Sequence, residues 1–281
     1  MLEIVRREKL SLVIESNGVL CTSEMAAEVA KAKDRFVSIS LDGADADTHE
    51  WVRGIKGSFE LAKEAVRNLV DAGIRPQIIM SIMRCNADQL EAMIRLAENL
   101  GASSVKFNII QPTGRGEMIH VGTNGLEVQE LVELGRWVDA ELSAHSQLTL
   151  HFDYPIAFRP LSRIATENGA GTCGIVTILG VIPTGHYALC GIGEHVPELV
   201  FGLVGSDSLD HLWHHQATLQ RLRGGLPERL GGVCGRCLMK HRCLGSCVAQ
   251  NHYRTSDLFA PFWFCEQADK IGLFPDSRVR D

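Results

Sequence analysis

Cysteine carries most of the chemistry this sequence can offer. The stretch CGRCLMKHRCLGSC, Cys234 to Cys247, holds four of the chain's nine cysteines at the spacing C-x2-C-x5-C-x3-C. Cys173 and Cys190 precede it as C-x11-G-x4-C, with Gly185 as the glycine, and Cys265 follows Cys247 after seventeen residues. Cys21 and Cys85 stand apart and read as buried, inert thiols. Thiolate is a soft ligand that selects zinc or iron–sulfur clusters over hard cations. One C-x2-C is shared with zinc ribbons, but the second C-x2-C that completes the usual zinc site is absent. Seven thiolates divide naturally as four plus three, which suits two cubane clusters, one with an open iron. A zinc-binding structural domain remains the rival. His186 and His241 lie nearby, fall at no regular ligand spacing and read as surface residues.

Composition narrows the setting. The chain has 281 residues and a formal net charge of −6, with no Lys/Arg-rich run, so a nucleic-acid partner is not expected. No apolar run approaches the ~18 residues of a membrane span, and MLEIVRREKL lacks the apolar segment of a signal peptide. A cytoplasmic protein is expected, and in that reducing compartment clustered cysteines are metal ligands before they are disulfides.

The first half must supply the scaffold. Apolar runs at 10–16, 36–42, 75–83 and 104–110 read as strands, and between them lie TSEMAAEVAKAK, SFELAKEAVRNLVDAG and ADQLEAMIRLAENLG, whose apolar residues recur at three and four. Ser58 and Asn86 are candidate caps, and Gly73 and Gly101 suit the helix ends. Four strand–helix repeats imply a parallel sheet with helices outside it. In FVSISLD, Val37, Ile39 and Leu41 share one face while Ser38, Ser40 and Asp42 share the other. A strand covered by helices on both sides would be apolar throughout, so the polar face predicts a wet lumen. Glu15, Ser16, Asn17, Ser81, Arg84, Asn108 and Gln111 end the other strands, at the carboxyl side where α/β folds bind ligands.

The seven cysteines, in the order C-x11-G-x4-C, C-x2-C-x5-C-x3-C and a distant Cys, resemble the SPASM domain of radical S-adenosylmethionine (SAM) enzymes. VIPTGHYALC and FGLVGSDSLDHLW support the likeness. IESNGVL, VSISLDGADADTHEWVRGIKGSFE and QPTGRGE resemble strands and loops of the same family's barrel. The resemblance covers roughly residues 10–118 and 173–265. It implies that Cys173, Cys190 and Cys247 hold a first auxiliary [4Fe-4S] cluster with one iron open. It implies a second cluster on Cys234, Cys237, Cys243 and Cys265, and contacts to SAM by Asn17, Ser40, Asp42 and Ser81. The fold implied is α/β: an incomplete (β/α)6 partial barrel, about its last four β/α units, then a small cysteine-rich SPASM domain with a β-hairpin and short helices. The expected boundaries are 1–150 for the barrel part, 151–172 for a linker interrupted by Pro155, Pro160 and ENGAGT, 173–270 for the SPASM domain and 271–281 for a tail.

The C-x3-C-x2-C motif that holds the family's SAM-cleaving cluster is absent from the sequence, and so is its GGEP loop. The reading is therefore of a chain that enters the barrel at its third strand, through a misplaced start, a split gene or a partner subunit that completes the barrel. Such an entry would leave the first strand as an open edge. SAM and a third cluster are expected only with the full-length enzyme, so whether this chain alone is an enzyme stays open. The family's work implies maturation of a ribosomally made precursor peptide through a 5′-deoxyadenosyl radical. The auxiliary clusters would accept an electron or ligate substrate, with a ferredoxin or flavodoxin as donor. In the sulfatase-maturing branch an Asp follows the second SPASM cysteine; here Gly191 does, which argues against that role. The alternative is a non-catalytic subunit with two clusters that transfers electrons or presents a peptide.

Overall fold

The computed structural model describes residues 1–166 and 173–280, so ENGAGT (167–172) lies outside the described residues. The chain divides into two compact units. The first comprises residues 1–110, 123–126 and 133–153; the second comprises 111–122, 127–132 and 154–281.

In the first unit five strands pair in parallel in sequential order: β1 (Leu12–Ser16), β2 (Arg35–Ser40), β3 (Gln77–Ile82), β4 (Ser104–Ile109) and β5 (Thr149–Phe152). Four of them occupy the expected apolar runs. The fifth was not expected, because TLHF is only four residues long with two apolar side chains, too little for a periodicity to register. Helices α1 (Ser23–Ala30), α2 (Ala46–Arg53), α3 (Ser58–Asp71) and α4 (Leu90–Asn99) run between strands. The Thr22 hydroxyl caps α1 by accepting the Met25 N–H, and the Asp45 carboxylate caps α2 by accepting the Thr48 N–H. Ser58 does not cap α3. Gly57, with φ of 82°, stands at that position, while the Ser58 hydroxyl donates to the Ile55 carbonyl at 2.7 Å. Gly73 and Gly101, both left-handed, follow α3 and α4 as expected.

The pairing register separates the sheet's two faces. Val37, Ile39, Ile78, Met80, Val105, Phe107, Leu150 and Phe152 are buried on one face. Helix α3 buries Phe59, Ala62, Ala65, Val66 and Leu69, and α4 buries Leu90, Met93, Ile94 and Ala97. The opposite face is polar by rungs. Glu15, Ser38, Gln77, Ser104 and Thr149 are paired in succession across all five strands, and Ser81 stands opposite Asn108 two pleat repeats further on, beyond the Ile79–Lys106 rung. That polar face is the lumen side anticipated from FVSISLD. β1 is an edge of the sheet, and Val13 on it is 66% exposed.

In the second unit a three-stranded antiparallel sheet, β6 (Gly180–Val181), β7 (His186–Ala188) and β8 (Val200–Leu203), leads into short helices. These are α5 (Leu209–His215), α6 (Ala217–Gly225), α7 (Gly232–Arg236), α8 (Lys240–Cys243), α9 (Val248–Thr255) and α10 (Trp263–Lys270). Ile175, Leu189, Leu199, Leu219, Leu222, Val248 and Phe259 form its core. Phe158 packs edge-on against Phe264 and Phe274 at 5.2 and 5.6 Å between ring centroids. The C-terminal residues are tied in: Leu238 N–H donates to the Arg278 carbonyl and Arg280 N–H to the Arg236 carbonyl. Among the described residues no helix is long and apolar enough to cross a membrane.

Candidate metal centres

Cys21 is half-buried and Cys85 exposed, so neither is the buried thiol expected from the sequence, while placement of the other seven begins with backbone geometry. Cys234 lies in α7, Cys237 closes that helix, Cys243 ends α8 and Cys265 lies in α10. Between Cys243 and Cys247 the chain does not continue as helix. Leu244, Gly245 and Ser246 take left-handed φ values of 52°, 81° and 59° in succession. For the two residues with a Cβ this conformation is uncommon and costs energy, and such strain concentrates at functional turns. The turn delivers neighbouring cysteines to different places. Cys243 is acted on electrostatically by Cys234 and Cys237, whereas Cys247 is acted on by Cys190 and Cys173. Cys265 completes the first set through Cys234, Cys243 and Cys237.

The set of four is enclosed. Cys234, Cys237 and Cys265 are buried and line, with Cys243, a narrow recess whose other walls include Ile156, Ala157, Leu230 and Phe274. The Phe262 N–H donates to Cys234 Sγ at 3.4 Å and the Met239 N–H to Cys237 Sγ at 3.3 Å. A hydrogen bond between Cys265 and Cys234 holds the Cys234 thiol below the ordinary thiol range and drives that of Cys265 well above it. Burial pushes Cys243 up to about 12. The set of three, Cys173, Cys190 and Cys247, is half-buried against the unit's apolar core. Burial pushes Cys247 up to about 12 and raises Cys173 as well.

Thiols held protonated by burial are poor anions alone, and a bound metal reverses that by taking the proton's place. All seven donors are sulfur, so the fit is to soft metal chemistry. Among the described residues no three His, Cys, Asp or Glu side chains converge tightly enough to hold one metal ion. A cubane, by contrast, distributes its thiolates over separate irons.

On the first unit's strand ends, Asp42 is 2% exposed and its carboxylate is fully engaged. Its Oδ2 pairs with Arg53 Nη2 at 2.7 Å and its Oδ1 accepts the Ser81 N–H at 2.8 Å. The Asp42 N–H donates to His49 Nδ1 at 3.1 Å, and the Asp42 and Ser81 carbonyls both accept from Asn86 Nδ2, at 2.8 and 2.9 Å. Asn86, a candidate cap in the sequence, is thus a clamp between two strand ends. The structure joins Asp42 to Ser81 directly. Ser40 is half-buried at the end of β2, and Asn17 is exposed beyond β1, its Oδ1 accepting the Val19 N–H at 3.2 Å. Gly18 beside it has φ of 80° and backs onto α3; a Cβ there would lie 2.9 Å from that of Ala65. Ser38 Oγ and Asn108 Oδ1, both on the lumen face, are buried without a hydrogen-bond partner, which suits a polar ligand.

Sequence reasoning missed His49 and Arg53, although a histidine 1% exposed on an eight-residue amphipathic helix is a detectable oddity. It also missed an amide relay in the second unit. Trp263 Nε1, which can only donate, reaches Gln111 Oε1 at 3.2 Å, and Gln250 Nε2 donates to the same oxygen at 2.6 Å. The relay links α9, which follows Cys247, to α10, which bears Cys265.

Comparison with known proteins agrees with this architecture. Residues 1–97 match the model of the radical SAM superfamily. The chain is 28% identical over 267 residues to the mycofactocin maturase MftC of Mycolicibacterium smegmatis, covering 94% of this chain and 66% of that protein. It is also 28% identical to an AdoMet-dependent heme synthase of Oleidesulfovibrio alaskensis, covering 86% and 63%. The crystal structure of Streptococcus suis SuiB bound to precursor peptide SuiA superposes with a TM-score of 0.70 at 13% identity, over 94% of this chain and 61% of that one. The chain spans 62% to 66% of the length of the mycofactocin maturases it matches. Residues 1–97 thus match the radical SAM superfamily by sequence, and the chain shares the fold of the SuiB structure over 94% of its length.

Proposed function

We propose that this chain is an iron–sulfur protein of a radical SAM/SPASM maturase acting on a ribosomally synthesised peptide. Cys234, Cys237, Cys243 and Cys265 hold one auxiliary [4Fe-4S] cluster, and Cys173, Cys190 and Cys247 hold another with an open iron. The observation that carries this reading is the sorting of seven cysteines into a four and a three by the left-handed turn at 244–246. The names of the relatives support the peptide substrate: a mycofactocin maturase by sequence, and by fold a protein crystallised with its precursor peptide. On this reading residues 1–150 are barrel, 151–172 linker, 173–270 the cluster domain and 271–281 the tail. A ferredoxin or flavodoxin supplies electrons, and nine free thiols suit the reducing cytoplasm.

When bound, SAM and the clusters supply one-electron and hydrogen-abstraction chemistry. The chain's own residues orient and shield. The Phe262 and Met239 N–H groups donate to Cys234 and Cys237 Sγ, bonds that would tune the potential of a cluster held there, and Ile156, Ala157, Leu230 and Phe274 would keep water from the set of four. Asn17, Ser40 and Ser81, with Ser38 and Asn108, offer the lumen's polar contacts to SAM. Asp42 acts by fixing the Ser81 backbone rather than through a free carboxylate.

A second reading, a two-cluster subunit without SAM chemistry, is favoured by the absence of C-x3-C-x2-C from the sequence. Anaerobic reconstitution with iron and sulfide tests the metal assignment: two cubanes require about eight irons with matching sulfide per chain. Zinc without sulfide would sink it. Reduction in the presence of SAM then separates the readings: this chain alone forms no deoxyadenosine under either, whereas joining it to a protein segment that carries C-x3-C-x2-C restores deoxyadenosine formation under the first and not under the second.

A further inference from the structure

Helix α5 carries a patch of imidazole that the cysteine chemistry does not use. Its sequence LDHLWHH places His211 and His215 four residues apart, on one helical face. Their ring centroids are 4.9 Å apart with planes inclined by 37°, and both side chains are exposed. Two histidines at i and i+4 are the spacing by which a helix presents two nitrogens to one metal ion. Neutral imidazole suits nickel, copper and zinc among the divalent ions.

The scaffold under the pair is fixed. Leu212 is buried, and the Ser208 hydroxyl caps the helix by accepting the His211 N–H at 3.3 Å. Trp213, about 200° around the helix from both histidines, is covered by the Arg223 guanidinium at 4.1 Å. Arg223 also donates to the Trp213 carbonyl and, at 3.1 Å, to that of Val176, while Gln220 donates to the His214 carbonyl. His214 is engaged elsewhere: its Nδ1 lies 2.9 Å from the Asp210 carbonyl and 3.2 Å from the Asp210 carboxylate. The two neighbouring rows of the helix therefore differ. One is an internally satisfied Asp–His pair, the other two adjacent imidazoles. The last turn of a helix also favours positive charge, and His215 stands in it.

We propose that His211 and His215 form a two-imidazole site for a divalent transition-metal ion, with water or a ligand from another molecule completing its coordination. None of the seven clustered cysteines takes part, so the site stands or falls independently of the function proposed above.

The test uses the full chain with its thiols already filled, by iron and sulfide or by zinc where the protein takes that instead, so that they do not compete, titrated with Ni2+ under anaerobic conditions. One Ni2+ is expected per chain, with imidazole nitrogen scattering at the nickel absorption edge. Losing even an outer partner of a metal ligand costs about 10–100-fold in affinity, so His211→Ala and His215→Ala should each weaken binding at least about tenfold. His214→Ala should leave affinity within about twofold of the parent, and unchanged iron content and melting temperature show that each variant is folded. If the double variant H211A/H215A binds Ni2+ as tightly as the parent, the ion is an adventitious ion only and the site is refuted. A loss in H214A equal to that in H211A would likewise refute the assigned pair.

Discussion

The strand-end knot of the first unit and the cysteine sets of the second are both buried and polar, yet they solve opposite problems. Around Asp42 the protein supplies every partner itself: a guanidinium, a backbone N–H, an imidazole nitrogen and an amide. Around Cys243 and Cys247 it supplies other thiols and apolar walls, and burial pushes both thiols up to about 12. The first arrangement is complete as folded. The second is a set of soft donors whose burial favours the neutral thiol, so that a bound metal would have to displace the protons. A closed charge network thus braces the strand ends, while the sulfur sets offer donors suited to a soft metal.

The largest effect should come from removing or restoring metal. Metal binding contributes many kcal/mol to a coupled fold, and each kcal/mol moves Tm by about 2–4 °C at this size. Loading with iron and sulfide should therefore raise the melting temperature of the cysteine unit by about 10 °C or more. Hydrogen exchange in β2, β3 and α3 should not change. Equal protection of both units on loading would break the contrast. Within the cysteine unit, Cys243→Ala should lower iron by about four atoms per chain.

Next in size is the charge knot. Removing one member of a buried ion pair costs about 3–5 kcal/mol, because the other charge is left uncompensated. The Arg53 side chain is 29% exposed and that of Asp42 3%, so Arg53→Met should fall near the low end, about 3 kcal/mol. Urea unfolding followed by exchange in the sheet unit measures it, and iron content should stay at the parent value. Adding Asp42→Asn should recover much of the loss; failure to recover would show that Arg53 acts through packing instead.

How much of this was legible in the sequence follows from range. The strands and helices of the first unit came from periodicities inside windows of a dozen residues, and β5 escaped because its window is too short. The soft-donor character of the cysteine set was readable because residue type and spacing are themselves sequence. The knot was not, since His49 and Arg53 lie 7 and 11 residues past Asp42 and Asn86 lies 44 past it, each unremarkable on its own helix or turn. The Gln111–Gln250 bond spans 139 residues and carries no local signal at all. Ser58 shows the same limit at short range: a good capping residue was displaced by one position because Gly57 could adopt the left-handed φ.

His49 gives the contrast a pH axis. Burial lowers its pKa below the ordinary histidine value, and its Nδ1 must stay unprotonated to accept the Asp42 N–H. A folded pKa below the unfolded one means the unfolded chain binds the extra proton first as pH falls through about 6.5. Stability of the sheet unit is therefore full above that pH and is lost progressively below it, until the lowered folded value is reached. Urea midpoints at pH 7.5 and pH 5.5 should differ for the parent, and the His49 share of that slope should vanish in His49→Gln. A parent slope unchanged by the substitution would assign the acid sensitivity elsewhere.

The smallest effect lies at the turn that separates the two cysteine sets, and two magnitudes fix its sign. A side chain in the left-handed region costs roughly 1–2 kcal/mol, whereas glycine costs about 0.4–1 kcal/mol through the freer unfolded chain. Ser246, at φ of 59°, is half-buried, and its N–H donates to the Cys243 carbonyl, a bond glycine keeps. Ser246→Gly should therefore stabilise the metal-free protein by roughly 0.5–1 kcal/mol. If the strain is what steers Cys243 and Cys247 apart, the relaxed turn should also load the three-cysteine set less completely, seen as iron per chain below that of the parent. Gain in stability with undiminished iron would mean that packing of α8 and α9, and not the strained turn, sorts the sulfurs.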